Sequence, residues 1–142
     1  MKLIVNKFQF KDLKELTEEM VATGFDIDSI RVEDKQIAYT VRTEEGEILG
    51  IGGVHMFWPG VGEGWVILTK VVFRYPLTFH KTVLGLLGRI EAEYGFSRIQ
   101  AACLCGWNRA EKWLQKLGFE YEGIMAKYGP DGSDYYRYAR IR

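Results

Sequence analysis

The chain has 142 residues, of which 47% are hydrophobic and 27% are charged, and these are ordinary values for a globular domain. Its 19 Lys and Arg residues balance 19 Asp and Glu residues, which gives no support for a nucleic-acid partner. No apolar run approaches the length of a membrane span, and the first residues lack the apolar stretch of a signal peptide. We therefore expect one domain over residues 1–142, with no membrane or nucleic-acid partner and a cytoplasmic location.

The first part of the chain predicts a strand, a helix and a β-hairpin. Leu3–Val5 is a short apolar run typical of a strand, and Phe10–Val21 has apolar residues at helical spacing. Asp26–Asp34 is polar and predicts one or two helical turns at most. Gln36–Arg42 and Glu47–Phe57 flank a Glu-Gly turn signal and predict the two strands of a hairpin.

The middle of the chain predicts a loop, a long strand and a helix. Pro59–Gly64 is rich in glycine but lacks the Lys-Ser or Lys-Thr of a phosphate loop, so we interpret it as a hairpin connection. Trp65–Phe73 predicts a long strand. Thr78 is the predicted N-cap of a helix over Phe79–Tyr94, and Ser97–Leu104 is the next strand.

The last part predicts a second helix and a closing hairpin. Asn108 is the predicted N-cap of an amphipathic helix, and Gly118 follows where a left-handed residue is favoured. Tyr121–Tyr128 and Asp134–Ile141 predict two strands around a turn. The whole order does not alternate strictly between strands and helices, so it predicts a mixed α+β domain with a central sheet.

Two cysteines lie two positions apart in a predicted strand. An extended backbone holds the Cα atoms of Cys103 and Cys105 roughly 6.5–7 Å apart, at the outer limit of disulfide geometry. We expect free thiols, small and buried rather than nucleophilic. Two Cys and two His also lack metal-ligand spacing, so no metal site is predicted.

The order of elements resembles the GNAT superfamily of N-acetyltransferases over almost the whole chain. The superfamily's Ala-x-x-x-Tyr-x-x-x-Gly-Phe helix and exit resemble Ala110, Leu114, Leu117, Gly118 and Phe119. With Glu122-Gly123, an Asp-Gly hairpin and a Tyr-rich last strand, the combination is similar to GNAT-like proteins of tailed bacteriophages. The resemblance implies a mixed central β-sheet flanked by helices, and transfer of an acetyl group from acetyl-CoA to an amine.

The resemblance also implies where acetyl-CoA binds. Its pantetheine arm docks on strand backbone, and its pyrophosphate meets backbone amides at the start of the next helix. The superfamily's glycines are absent from the matching segment, Arg74–Val83. This leaves two interpretations: side-chain donors bind the pyrophosphate in place of backbone amides, or the segment is only a helix start with solvated polar groups. The implied cofactor residues are Val71, Val72, Phe73, Thr78, His80, Lys81, Thr82, Asn108 and Trp113.

A general base has two candidates on the strands before that segment. His55 lies in an otherwise apolar strand, where a lone histidine is commonly structural, but only imidazole ordinarily titrates near neutral pH. Glu63 is the second candidate, and its competing interpretation is a solvated loop carboxylate. The superfamily's acid that protonates the leaving thiolate is a Tyr, and Leu114 stands in its place.

Two functions from different classes follow. The first is an acetyl-CoA-dependent N-acetyltransferase of phage or prophage origin, with an unidentified small-molecule or protein amine as acceptor. The second is a GNAT-fold protein without catalysis that serves as a phage structural or host-interaction module. Its partners would be a second copy of the chain or virion proteins, and its location the bacterial cytoplasm or the virion.

Overall fold

The structure is a computed structural model that describes residues 2–16, 20–21 and 37–142. Its strands and helices follow the predicted order over most of this part. The strands are β1 (Ile4–Lys7), β2 (Met20–Val21), β3 (Ala38–Arg42), β4 (Ile48–Trp58), β5 (Val61–Thr69), β6 (Arg98–Leu104), β7 (Glu120–Met125) and β8 (Tyr135–Ile141). The α-helices are α1 (Pro76–Tyr94) and α2 (Asn108–Lys116), and two 3₁₀ helices span Phe10–Leu16 and Lys70–Arg74.

All the described strands belong to one mixed sheet. Its main path runs β1-β3-β4-β5-β6-β8-β7, and β2 pairs with β5 off this path. Among the described strand pairs, only β5 and β6 are parallel, while the others are antiparallel. Because parallel strands need a crossover, α1 connects β5 to β6 across one face of the sheet.

The first helix was predicted too long. Phe10–Leu16 forms a 3₁₀ helix, and Met20 and Val21 belong to β2. Tertiary contacts explain the difference, because the buried Asp12 accepts hydrogen bonds from Thr40 Oγ1 at 2.8 Å and from Arg42 Nη2 at 2.9 Å. The predicted turns over Asp26–Asp34 lie outside the described residues.

The two helix starts also differ from the prediction. α1 begins at Pro76, because proline is pre-organised for the first helical position, so Thr78 lies inside the helix and is not its cap. Asn108 is the first residue of α2 and Trp107 takes the cap position without a side-chain hydrogen bond. The predicted left-handed residue after α2 is confirmed, with φ of 91° at Gly118, and α1 ends in the same way at Gly95, with φ of 72°.

The hairpin between β4 and β5 is tighter than predicted. Only Pro59 and Gly60 form the turn, while Gly62 and Gly64 of the predicted loop pair with β4. A Cβ at Gly62 would lie 2.7 Å from the carbonyl oxygen of His55, so close strand approach explains this glycine. The glycines therefore serve the sheet.

Each face of the sheet carries its own core. One face packs against α1 and α2 through residues such as Val54, Leu87, Ile99 and Leu117. The opposite face buries Ile51 and Ile67 beside Leu16 of the first 3₁₀ helix. No helix in the described part of the chain is long and apolar enough to cross a membrane.

One arginine joins the C-terminal ends of both α-helices to the last strand. Arg140 on β8 donates from Nε and Nη2 to the two carboxylate oxygens of Glu91 on α1, at 2.9 and 3.0 Å. Its Nη1 donates to the carbonyl oxygen of Leu117, which follows α2. Glu91 is only 4% exposed, so this corner fixes both helix ends on the sheet.

Candidate active site

The parallel strands β5 and β6 separate after three residues. Val61, Gly62 and Glu63 pair with Arg98, Ile99 and Gln100, and no pairing continues beyond them. Both strands run on, β5 to Thr69 and β6 to Leu104, before α1 and α2 begin. The sheet therefore opens into a splay, and the helix that follows each strand starts at its open end.

The open edge of β5 is short and carries exposed backbone groups. Among the described strands, none pairs with this edge between Gly64 and Ile67, a length of about 10 Å. Trp65 and Ile67 direct their carbonyl oxygens towards β4, where each lies close to a β4 glycine. Because backbone groups alternate along a strand, Val66 faces the splay with its N–H and C=O.

The far end of the same edge is occupied by β2. Met20 pairs with Thr69 and Val21 pairs with Leu68, in antiparallel register. An extended ligand following β5 from Val66 towards α1 would meet this short ladder. The backbone that such a ligand can use in this structure is therefore limited to the stretch before Leu68.

The strand does not reach the three residues predicted to offer backbone to the cofactor. Val71, Val72 and Phe73 lie in the 3₁₀ helix, and the first two are buried in the core. The Val71 N–H donates to Thr69 Oγ1 at 3.2 Å, and the Val72 carbonyl accepts from the Tyr75 N–H at 3.1 Å. The prediction of an open strand here is wrong, because the chain turns at Thr69 to reach α1.

Four predicted cofactor residues lie in the first turns of α1, and their side chains differ in exposure and in hydrogen bonding. The Thr82 hydroxyl donates to the Thr78 carbonyl at 2.8 Å, so its proton is used within the helix. His80 is half-buried, and its Nδ1 has no hydrogen-bond partner within the described residues. Lys81 is exposed and forms no ion pair with the described part of the chain. Their role in cofactor binding remains a prediction.

An aromatic contact joins the first turn of α1 to the middle of α2. Trp113 on α2 stacks on Phe79 of α1, with ring centroids 6.0 Å apart, and packs against the core between the helices and the sheet. Asn108 is exposed at the first position of α2. Trp113 therefore packs the helix pair at the inner side of the splay, and cofactor contact by either residue stays a prediction.

Arg109 was not among the predicted site residues. Its guanidinium carbon lies 5.4 Å from the ring centroid of Phe73, which is 52% exposed. Arg109 and Trp113 are four positions apart, so they share one side of α2. The contact joins the segment after β5 to the helix after β6, across the mouth of the splay. Its only sequence signal was a cation in the first turn of α2.

The two candidate bases lie together on the face of the sheet opposite α1 and α2. His55 on β4 is the register partner of Glu63 on β5, so their side chains share one face. Glu63 is the last β5 residue that pairs with β6, at the apex of the splay. Its carboxylate forms an ion pair with Arg137 on β8, so the predicted solvated loop position is wrong.

Arg137, which pairs with the Glu63 carboxylate, is itself held in place by contacts with other side chains. Its guanidinium lies over Tyr128, 5.8 Å from the ring centroid, and Nη2 lies 3.1 Å from Met125 Sδ. His55 meets Phe57 edge to face at 5.3 Å. The structure thus brings both candidate bases to the apex, but one carboxylate oxygen of Glu63 already accepts from Arg137.

The cysteines lie on the helix-covered side and are both free. Burial, together with smaller effects of the nearby Glu111 and Cys105, raises the pKa of Cys103 to about 11. The Tyr138 hydroxyl donates to Glu111 at 2.8 Å, and burial with this bond raises the pKa of Tyr138 to about 12. A thiol with so high a pKa is a poor nucleophile at neutral pH.

The fold matches solved acetyltransferase structures along nearly its full length. A GNAT-family acetyltransferase from Bacillus anthracis matches with a TM-score of 0.73 at 20% identity, over 99% of this chain and 95% of that one. A chimera of Vibrio cholerae spermidine N-acetyltransferase with hSSAT matches with a TM-score of 0.78 at 12% identity, over 99% and 96%. The IAA acetyltransferase from Bacillus cereus matches with a TM-score of 0.74 at 14% identity, over 99% and 100%.

These identities are low, so the likeness is one of fold. No protein-family model and no curated protein sequence matches the chain. The predicted α+β architecture, with a mixed central sheet flanked by helices, is confirmed. The chain therefore has the fold of the GNAT acetyltransferases.

Proposed function

We propose that the protein is an N-acetyltransferase that moves an acetyl group from acetyl-CoA to an amine. The observation that carries the proposal is the splay between β5 and β6, with a helix starting on each side of its mouth. A splayed parallel pair exposes strand backbone to a ligand without breaking the rest of the sheet. The structural neighbours that share this fold are acetyltransferases.

The donor arm would lie along the open edge of β5. Val66 offers one N–H and one C=O there, which suit the amide groups of a pantetheine arm. The phosphates would lie towards α1, where Lys81 supplies positive charge and the helix dipole favours an anion. These residues fit the donor, although the amides of the 3₁₀ helix are largely used within the protein.

The acceptor would approach from the face that carries His55 and Glu63. In the proposed reaction the neutral amine nitrogen attacks the thioester carbonyl and forms a C–N bond, while the amine gives up a proton. His55 takes this proton, directly or through one water, because imidazole serves as a base near neutral pH. Glu63, held by Arg137, places negative charge beside the resulting imidazolium.

The collapse of the tetrahedral intermediate breaks the C–S bond. The electron pair leaves on the CoA thiolate, which then takes a proton from water. Leu114 cannot donate a proton, and the indole N–H of Trp113 does not titrate. Loss of an acid at this step is tolerable, because a thiol ordinarily has a pKa of about 8.5 and its thiolate leaves readily.

A second function, binding without catalysis, is favoured by two observations. β2 covers the β5 edge at Leu68 and Thr69, and the segment before α1 is a glycine-free 3₁₀ helix with buried valines. Both reduce the backbone that a donor could use. In this case the protein would serve as a phage structural or host-interaction module, with virion proteins or a second copy of the chain as partner.

Origin, acceptor and location belong to the proposal as well. The resemblance of the C-terminal half to GNAT-like proteins of tailed bacteriophages supports a phage or prophage origin. The acceptor is a small-molecule or protein amine. The bacterial cytoplasm is the proposed location for the transferase, and the virion for the module without catalysis.

Calorimetric titration of the purified protein separates the two functions. Saturable binding of acetyl-CoA, with CoA as the comparison ligand, is expected for the transferase. A screen of amines with detection of free thiol would then identify the acceptor class. No binding at millimolar acetyl-CoA would contradict the transferase and direct attention to protein partners.

A further inference from the structure

Arg109 differs from the arginines that stabilise this fold. Five guanidinium groups in the described part form ion pairs with carboxylates, and they belong to Arg42, Arg74, Arg98, Arg137 and Arg140. Arg89 and Arg142 are exposed and form no ion pair with the described residues, but neither lies at the mouth of the splay. Arg109 is exposed, and within the described residues its guanidinium forms no ion pair and no side-chain hydrogen bond. Its recorded contact is the one with the ring of Phe73.

The acidic residue nearest to Arg109 in the sequence is Glu111, and its carboxylate is hydrogen-bonded elsewhere. Glu111 lies two positions after Arg109 in the first turn of α2, and it accepts the hydrogen bond of the Tyr138 hydroxyl at 2.8 Å. The positive charge of Arg109 is thus left without a carboxylate from its own helix. A ring under a guanidinium restrains its position but leaves the N–H donors around its rim free to bind an anion.

Backbone amides of the segment before α1 are largely used within the protein. The N–H groups of Val71 and Tyr75 are bonded within the 3₁₀ helix, and Pro76 has none. At the start of α1 the amides of Leu77 and Thr78 have no intrahelical partner, and the first amides of α2 lie at the same mouth. Amides carry no net charge, so side-chain cations are needed to neutralise a diphosphate.

We infer that Arg109, held over Phe73, is the anchor for the diphosphate of the acyl donor. The inference rests on the proposed function and adds the residues that select a nucleotide-bearing donor over a bare thioester. Guanidinium is suited to this role because its fork binds two phosphate oxygens at once. Phe73 acts as a positioning residue, since it touches the guanidinium and not the reacting atoms.

The test compares two donors on matched variants. Acetyl-CoA carries the diphosphate, whereas S-acetylpantetheine carries the same arm and thioester without phosphate. The variants are Arg109→Gln, Arg109→Lys and Phe73→Leu, with Lys116→Gln as the control, because Lys116 is an exposed cation at the other end of α2. Affinity for acetyl-CoA is measured by calorimetry, and acetyl transfer is measured with each donor at limiting concentration.

The expected result is selective. Arg109→Gln should weaken acetyl-CoA binding by about tenfold or more, Arg109→Lys should restore part of it, and Phe73→Leu should fall between them. With S-acetylpantetheine as donor, every variant should transfer the acetyl group at a rate within about twofold of the native protein. The control Lys116→Gln should also bind acetyl-CoA with an affinity within about twofold of the native value. All four variants should keep the native far-ultraviolet circular dichroism, because the changed side chains are exposed.

Failure of the inference and failure of the function give different results. Tight acetyl-CoA binding by the native protein that Arg109→Gln leaves unchanged would overturn the inference and leave the transferase standing. An equal loss with both donors would also overturn it, because the effect would not involve phosphate. Absence of acetyl-CoA binding by the native protein would remove the function and the inference together.

Discussion

The two ends of the α1–α2 pair use arginine in opposite ways. At the C-terminal ends, Arg140 uses Nε and both terminal nitrogens on Glu91 and on the Leu117 carbonyl. At the N-terminal ends, Arg109 rests on Phe73 and makes no hydrogen bond with the described protein through its guanidinium. A satisfied, partly buried guanidinium fixes structure, whereas an exposed one with unused donors can serve a ligand. The comparison therefore separates the part of the helix pair that stabilises the fold from the part that we assign to function.

The largest expected effect is on stability, at the C-terminal ends of α1 and α2 where Arg140 bonds to Glu91 and Leu117. Arg140→Ala would leave the Glu91 carboxylate buried without its partner, which should lower the free energy of unfolding by about 3 kcal/mol. Arg109→Ala should lower it by less than about 0.5 kcal/mol, because no protein hydrogen bond is lost. Urea unfolding of both variants measures the difference. Similar losses in the two would contradict the division between the helix ends.

The next effect is on turnover at the apex of the splay. His55→Ala should lower kcat by about 100-fold, because the amine proton loses its acceptor. The control is Met56→Ala, its neighbour on β4, whose side chain alternates to the opposite face. The measurement is the rate of free thiol release with a saturating amine. Native turnover in the His55 variant would contradict its assignment as the base.

A smaller effect is expected on the affinity for acetyl-CoA, at the N-terminal ends of the two helices. Lys81→Glu should weaken acetyl-CoA binding by about tenfold, since it places negative charge beside the phosphates. Lys116→Glu makes the same charge change at the far end of α2 and should alter the affinity by less than about twofold. Calorimetry at low and physiological salt measures both. Equal losses would mean that overall charge, and not the site, controls binding.

The smallest expected effect is on how the free energy of unfolding changes with pH, through the Cys103 thiol in the core under the helices. Burial raises the pKa of Cys103 to about 11, above its ordinary value of 9.0. The unfolded state therefore loses this proton first as pH rises, so the thiol's contribution to stability is present below pH 9 and is lost towards pH 11. Urea unfolding of native and Cys103→Ala protein at several pH values should show a decline about 1 kcal/mol smaller in the variant. Parallel declines would contradict the burial of this thiol.

Local signals in the sequence were enough to predict most of the fold. Gly95 and Gly118 mark left-handed helix ends, and alternating residues before and after a Glu-Gly turn mark the hairpin of β3 and β4. The length of the first helix could not be read this way. The hydrogen bonds that fix Asp12 come from Thr40 and Arg42, which are far along the chain.

The site was less predictable, because it depends on where strands separate. Sequence pattern continued β5 to Phe73, whereas the strand ends at Thr69, whose hydroxyl bonds to the Ile48 carbonyl at 2.6 Å. The pairing of Glu63 with Arg137 joins residues 74 positions apart, so no local signal reveals it. Arg109 was overlooked for the same reason, since its importance lies in the distance to Phe73.

The central claim is that the donor arm lies along the open edge of β5. Amide hydrogen exchange, followed by NMR with and without acetyl-CoA, tests this most directly at the Val66 N–H. We expect this amide to become protected on binding, while the amides paired between β4 and β5, such as that of Ile67, change little. Saturable binding of acetyl-CoA that leaves exchange at Val66 unchanged would contradict the account and place the donor elsewhere on the protein.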